Sequence, residues 1–95
     1  MVCTVGTVTI HIPYAGSLKE KRRVIKSVIS RTINKFSVSC IEADYHDLWQ
    51  KGMIGIGFVA SDYNQADKIE SSIRSFYEAN EDFEIIDMNF EKFSV

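Results

Sequence analysis

The chain is poor in the residues that interrupt or staple a fold. Its 95 residues include one proline, five glycines and two cysteines, which excludes a flexible linker and a disulfide framework. No apolar run approaches the roughly 20 residues of a membrane-spanning helix, and no signal-like leader precedes the first strand pattern. These absences predict one globular domain in the cytoplasm with no membrane partner.

The sequence also lacks the short motifs of the commonest enzyme classes. It contains no GxGxxG or GxxxxGK[ST] phosphate loop, no HExxH zinc motif and no GxSxG nucleophile elbow. Cys3 and Cys40 each lie among alternating apolar residues, which indicates strand or core positions. We therefore predict a non-enzymatic protein with no catalytic residues, metal or cofactor, and we identify no small-molecule substrate.

Hydrophobic periodicity predicts six secondary-structure elements. Alternation predicts strands over 2–12, 37–44, 49–60 and 83–93, and a 3.6-residue period predicts helices over 18–35 and 62–79. Ser17 and Glu20 fit a capping box for the first helix, and Ser61 or Asp62 can cap the second. The apolar positions predicted to face the core include Ile33 and Ile86.

The order of these elements predicts an α+β fold. Strand, helix, strand, strand, helix, strand is the order of the ferredoxin-like βαββαβ sandwich, in which two helices cover one face of a four-stranded antiparallel sheet. We expect the first and third strands to run parallel, with both helix N-termini at one shared edge that could bind a small anion. This arrangement separates His11 from the other residues that resemble a metal-ligand set, which are Glu42, Asp44, His46 and Asp47.

Charge is distributed unevenly along the chain. The net charge is −2, yet residues 17–35 hold seven of the eleven basic residues and one acid, whereas residues 76–95 hold six acids and one base. At 100° per residue, one outward face of the first helix collects Lys19, Arg22, Arg23 and Lys26. Such a face either keeps an amphipathic helix soluble or follows the phosphates of a nucleic acid.

Two further features concern partners. The predicted outer face of the sheet presents Thr7, Thr9, Gly55 and Gly57, which offer no platform for stacked bases and favour self-association or a protein partner. Trp49 opens a strand after a polar loop, a position typical of a core lid and, alternatively, of an interface anchor.

Motif residues lie between positions 11 and 50, in the segments His11–Pro13, Ser17–Arg22, Lys35–Ser39 and Asp47–Gln50, together with Glu42. In this order they resemble the YlxP-like family of small bacterial proteins, except that Ser37 stands where the family pattern has asparagine. The resemblance implies a ferredoxin-like fold, no established enzyme activity and an association with translation and ribosome-assembly genes.

The resemblance also marks positions without assigning them a role. Besides Lys19 and Arg22, these are His11, Ser17, Lys21, Glu42, Asp47, Trp49 and Gln50. The basic helix and the resemblance together predict a module that contacts RNA or a ribosomal particle through the first helix. The alternative is a homo-oligomeric or protein-interaction module that uses the open sheet face or an edge strand.

Overall fold

Alternating apolar residues form four strands, and two amphipathic segments form the helices that cover them. The computed structural model describes all residues, 1–95, and confirms the predicted α+β ferredoxin-like sandwich. The sheet order is β2-β3-β1-β4, and every neighbouring pair is antiparallel. The elements are β1 (Val2–His11), α1 (Leu18–Phe36), β2 (Ser39–Asp44), β3 (Lys51–Ala60), α2 (Tyr63–Glu78) and β4 (Glu84–Ser94).

The expectation that the first and third strands run parallel was wrong. Val2 pairs with Ala60 and His11 pairs with Lys51, so β1 and β3 are antiparallel. A helical crossover returns β2 parallel to β1, and the hairpin that follows reverses the chain before β3 inserts between them. The loop 45–50 and the start of α1 therefore lie with His11 at one end of the sheet, which we call the His11 end.

Because β1 and β3 are antiparallel, the two helix N-termini do not share one edge of the sheet. The helix α2 begins just after Ala60, which pairs with Val2 at the end opposite His11. The two helix N-termini consequently lie at opposite ends of the sheet, and the predicted small-anion site between them does not exist.

The core fills the space between the sheet and the helices. Its fully buried members come from both central strands and both helices and include Val8, Ile10, Ile54, Val28 and Ile73.

Two residues predicted to face the core do not. A bulge in β4 pairs Thr9 with Asp87 and Ile10 with Ile85, which leaves Ile86 unpaired and exposed. Ile33 is also exposed, because it lies on the outer half of α1.

Both predicted helix caps are present, with one difference in detail. Ser17 Oγ accepts the Glu20 N–H at 3.1 Å, and Asp62 Oδ1 accepts the Gln65 N–H at 2.8 Å. In a capping box, the glutamate would accept the Ser17 N–H, but Glu20 instead accepts the Gly16 N–H at 2.6 Å. The cap therefore also orders the loop that leads into α1.

The C-terminus of α1 is the position of a stabilising substitution. Ser37 adopts the left-handed conformation, with φ 52° and ψ 47°, and donates its N–H to Ile33 O at 2.9 Å. Asparagine and glycine tolerate this conformation better than serine. We expect Ser37→Asn or Ser37→Gly to raise the free energy of unfolding by about 0.5–1 kcal/mol in urea denaturation.

A matched control for the cap lies inside the same helix. Ser30 is exposed and helical, so Ser30→Gly should lower the free energy of unfolding by about 0.5–1 kcal/mol. A loss of stability in both glycine variants would contradict the role given to the left-handed conformation of Ser37.

The first and last residues of the chain lie side by side. Val95 donates its N–H to Met1 O at 2.8 Å, which extends the pairing of β1 with β4. Neither helix is long and apolar enough to cross a bilayer.

Candidate nucleic-acid interface

The predicted cations of α1 form an exposed surface. We call Lys19, Arg22, Arg23 and Lys26 the basic face. All four side chains are exposed, and none takes part in an ion pair. Their helical positions fall within about 100° of one another. The basic face therefore presents four unneutralised charges in one direction.

Most other basic side chains are engaged within the protein. Arg31 lies 3.6 Å from Asp82, and Arg74 donates to Glu70 at 2.8 Å. Lys92 binds both Glu70 and Asp67, and the hydrogen bond to Glu70 raises the pKa of Lys92. These three cations are partly neutralised by their partners.

Three basic side chains outside α1's basic face form no ion pair. The Lys35 ammonium lies 5.3 Å from the centroid of the Phe76 ring, and the Lys51 ammonium lies 4.3 Å from that of Tyr45. Lys68 is exposed on α2. These three lysines are separate from the basic face.

Lys21 is not part of the exposed charge. Its side chain is fully buried, and Nζ donates to Tyr45 O at 2.7 Å and lies 2.8 Å from Glu42 Oε2. Glu42 Oε2 is itself buried and accepts no hydrogen bond of good geometry, so its charge is compensated mainly by the ion pair with Lys21. A sequence signal was available, because Lys21 precedes Ile25 by four residues and thus shares the apolar face of α1.

The loop 45–50 is tied to the chain on both sides. Lys21 also donates to His46 O at 3.4 Å, and Gln50 Nε2 donates to Pro13 O at 3.3 Å and Ala15 O at 3.1 Å. Ile12 donates its N–H to Gln50 O at 2.9 Å. Gln50 therefore joins the loop 45–50 to the turn before α1, and Lys21, which is paired with Glu42, joins the loop to α1 itself.

Trp49 lies on the surface and is not a core lid. It is 54% exposed, Leu48 is 47% exposed and Tyr14 is 86% exposed. His11, Leu48, Trp49, Gln50 and Lys51 line an open depression of about 550 Å³ at the His11 end. Sequence analysis missed Tyr14, although an aromatic residue within a turn bounded by Pro13 and Gly16 has little chance of burial.

The acidic and histidine residues do not form a metal centre. The antiparallel topology places His11 at the same end as the loop 45–50, contrary to the prediction. Its Nδ1 lies 3.3 Å from Glu84 Oε2, and His46 Nε2 lies 3.2 Å from Glu42 O. Asp47 is exposed. No three histidine, cysteine, aspartate or glutamate side chains come together in a way that could hold a metal ion.

The cysteines occupy the strand positions predicted for them. Cys40 is buried beside Tyr77 and Thr32, and burial raises the pKa of the Cys40 thiol. It therefore remains protonated at neutral pH and is a poor nucleophile. Cys3 is half-buried on the open side of the sheet.

The open sheet face is more apolar than predicted. Thr7 and Gly55 are paired at its centre, but Val5, Ile41, Val59 and Phe93 are exposed, Ile41 beside Gly55 and the other three toward the end opposite His11. We call these four residues the apolar patch. The residues predicted for this face are all small or polar. The four members of the apolar patch lie one on each of the four strands.

Comparison with known proteins places the chain in a family. Its residues 3–90 match the family model described as "Protein of unknown function (DUF503)". It is 43% identical over 65 residues to the "Uncharacterized protein YlxP" of Bacillus subtilis (strain 168), an alignment that covers 68% of this chain and 71% of the relative. Both findings agree with the resemblance noted from the motifs. The chain therefore belongs to the DUF503 family of proteins of unknown function.

Proposed function

We propose that the protein is an RNA-binding module that contacts the phosphates of RNA, alone or in a ribosomal particle, through the basic face. The observation that carries the proposal is the exposure of Lys19, Arg22, Arg23 and Lys26 on one side of α1 without ion pairs. Unpaired lysine and arginine side chains displace condensed counterions from a nucleic-acid backbone, which is the main source of sequence-independent affinity.

The charge of the remaining surface restricts how RNA can approach. The exposed side chains of β4 include Glu84, Asp87 and Glu91, which repel a polyanion. With a net charge of −2, the protein has no general attraction for nucleic acid. Binding therefore depends on the orientation in which α1 faces the backbone.

A salt titration with a matched charge control tests the proposal. We expect Lys19→Glu/Lys26→Glu to weaken binding of a fluorescein-labelled single-stranded RNA at least tenfold in fluorescence anisotropy. The slope of log affinity against log salt should become shallower by about 0.7 for each phosphate that the variant no longer neutralises. The same titration on purified ribosomal RNA or ribosomal subunits identifies the larger target.

The control makes the same change in charge elsewhere. Lys35 and Lys68 are exposed and form no ion pair, so Lys35→Glu/Lys68→Glu should retain most of the affinity and the full salt slope. Equally weakened binding in the two double variants, or no RNA binding by the unmodified protein, would reject the basic face as the binding surface.

A second candidate function is self-association through the apolar patch. Val5, Ile41, Val59 and Phe93 are between 46% and 62% exposed, and contiguous exposed apolar side chains mark interaction surfaces. Gly57 is paired with Val5 and Gly55 with Ile41, so no side chain of β3 separates these two members of the patch, which permits close approach of a second sheet. A two-fold axis through the patch would bury the same residues on both copies.

Sedimentation velocity over a dilution series tests this second function. We expect the unmodified protein to form dimers at high concentration and Val5→Lys to remain monomeric. Asn89→Lys, in the polar half of the same face, should dimerise normally because Asn89 lies outside the patch. A monomer at every concentration would remove this candidate.

A further inference from the structure

The exposed tryptophan at the His11 end is a second feature that the basic face does not explain. Trp49 is the only tryptophan of the chain and is 54% exposed. Exposing a large aromatic ring to water forfeits the free energy that its burial would supply. An exposed tryptophan in a loop that is hydrogen-bonded on both sides is positioned to contact a ligand.

The loop that carries Trp49 is held in place before any ligand binds. The Gln50 side chain binds two carbonyl groups of the turn 13–15, and the buried Lys21 ammonium binds two carbonyl groups of the loop itself. Little conformational entropy would thus be lost at this loop on binding. The ring of Trp49 is thus carried by a loop that is hydrogen-bonded to the rest of the protein on both sides.

The chemistry around the ring favours a nucleotide. The depression of about 550 Å³ beside Trp49 is also lined by His11 and by the cation Lys51. The Gln50 side chain acts only as a donor in the protein, so its carbonyl oxygen remains free to accept a hydrogen bond from a base. The turn 13–16, with the exposed ring of Tyr14, leads directly into the first turn of α1 and Lys19.

We infer that the depression at Trp49 binds an unpaired base of a single-stranded RNA whose phosphates lie along the basic face. This inference rests on the proposed function and specifies its ligand as unpaired RNA. Aromatic rings stack on bases that are free of a duplex, while neighbouring cations hold the backbone. Lys51 forms no ion pair, and the acids nearest the depression are Glu84, 3.3 Å from His11 Nδ1, and Asp47, which is exposed in the loop 45–50.

The single tryptophan makes the inference directly measurable. We expect a 12-nucleotide oligouridine to quench Trp49 fluorescence with the same midpoint as its anisotropy change, and a 12-base-pair RNA duplex to leave the emission unchanged. Trp49→Leu should weaken oligouridine binding about tenfold without altering the salt slope, since stacking is not a phosphate contact. Trp49→Phe, which keeps an aromatic ring, should restore most of the affinity.

The control replaces an exposed aromatic residue at the other end of the molecule. Tyr63 is 49% exposed at the start of α2, and Tyr63→Leu should bind oligouridine as the unmodified protein does. Circular dichroism melting of each variant verifies that it is folded.

The outcomes separate this inference from the function on which it rests. If anisotropy shows RNA binding but Trp49 emission and the Trp49→Leu affinity do not change, the stacking site is overturned and the basic face still binds RNA. If no RNA produces an anisotropy change, the proposed function fails and the stacking site with it. Equal binding of duplex and single strand with unquenched Trp49 would likewise overturn the stacking site. Trp49 would then be available as an anchor for a protein partner.

Discussion

We expect Lys21→Met to lower the free energy of unfolding by about 3–5 kcal/mol. The substitution removes the only cation paired with Glu42 and leaves a carboxylate largely buried without compensation. It also removes the donor that satisfies the carbonyl groups of Tyr45 and His46. Urea denaturation followed by circular dichroism measures the effect.

Two further variants identify the cause of that destabilisation. Lys26→Met makes the same chemical change at an exposed position of the same helix and should change the free energy of unfolding by less than about 0.5 kcal/mol. Lys21→Met/Glu42→Leu removes both charges and should recover part of the stability, because an unpaired buried carboxylate is costlier than an apolar pair. If Lys21→Met and Lys26→Met prove equally stable, the buried pair contributes nothing.

We expect a second large effect at Gly6, where Gly6→Ala should lower the free energy of unfolding by about 2 kcal/mol. Gly6 is paired with Phe90 on the neighbouring strand, and a side chain at this position would point into the core. A methyl group at Gly6 would overlap the Phe90 ring, with even Cγ only 2.9 Å away. The ring therefore occupies the space of the missing side chain, and thermal denaturation measures the destabilisation caused by the added methyl group.

A neighbouring glycine provides the control for Gly6. Gly57 lies on the open face, where a β-carbon would meet only Thr4 O at 3.8 Å. Gly57→Ala should therefore be neutral or stabilising by about 0.5 kcal/mol, since its backbone conformation needs no glycine. Gly6→Ala/Phe90→Leu should recover part of the stability. Full stability of Gly6→Ala alone would show that the ring moves aside without cost.

The architecture was predictable because each element has a clear period and a clear boundary. Ser17 and Asp62 are helix caps in the sequence and in the structure. The relative direction of β1 and β3 was not obtained, because it depends on how a crossover and a hairpin combine and not on any local pattern. That single error separated His11 from the loop 45–50 in the prediction, although the two share one end of the sheet.

The candidate interface was only partly predictable for a related reason. Exposure of Lys19 and Arg23 follows from helical periodicity, but the sequence does not show what compensates the charge of Lys21 on the apolar face of α1. Its burial depends on Glu42 and on two carbonyl groups that are distant in sequence and close in space. The exposure of Trp49 likewise depends on the packing of a loop, for which the sequence has no periodic signal.

The contact between Met1 and Val95 determines where a label can be attached. Both ends of the chain lie at the end of the sheet opposite Trp49. The ten residues of β1, or about 33 Å of strand, separate them from Trp49. A fluorophore or purification tag fused to either end would thus leave the RNA experiments unobstructed. The same proximity suits a circular permutant in which a short glycine-serine bridge joins the old ends and the chain is opened in the turn 79–83.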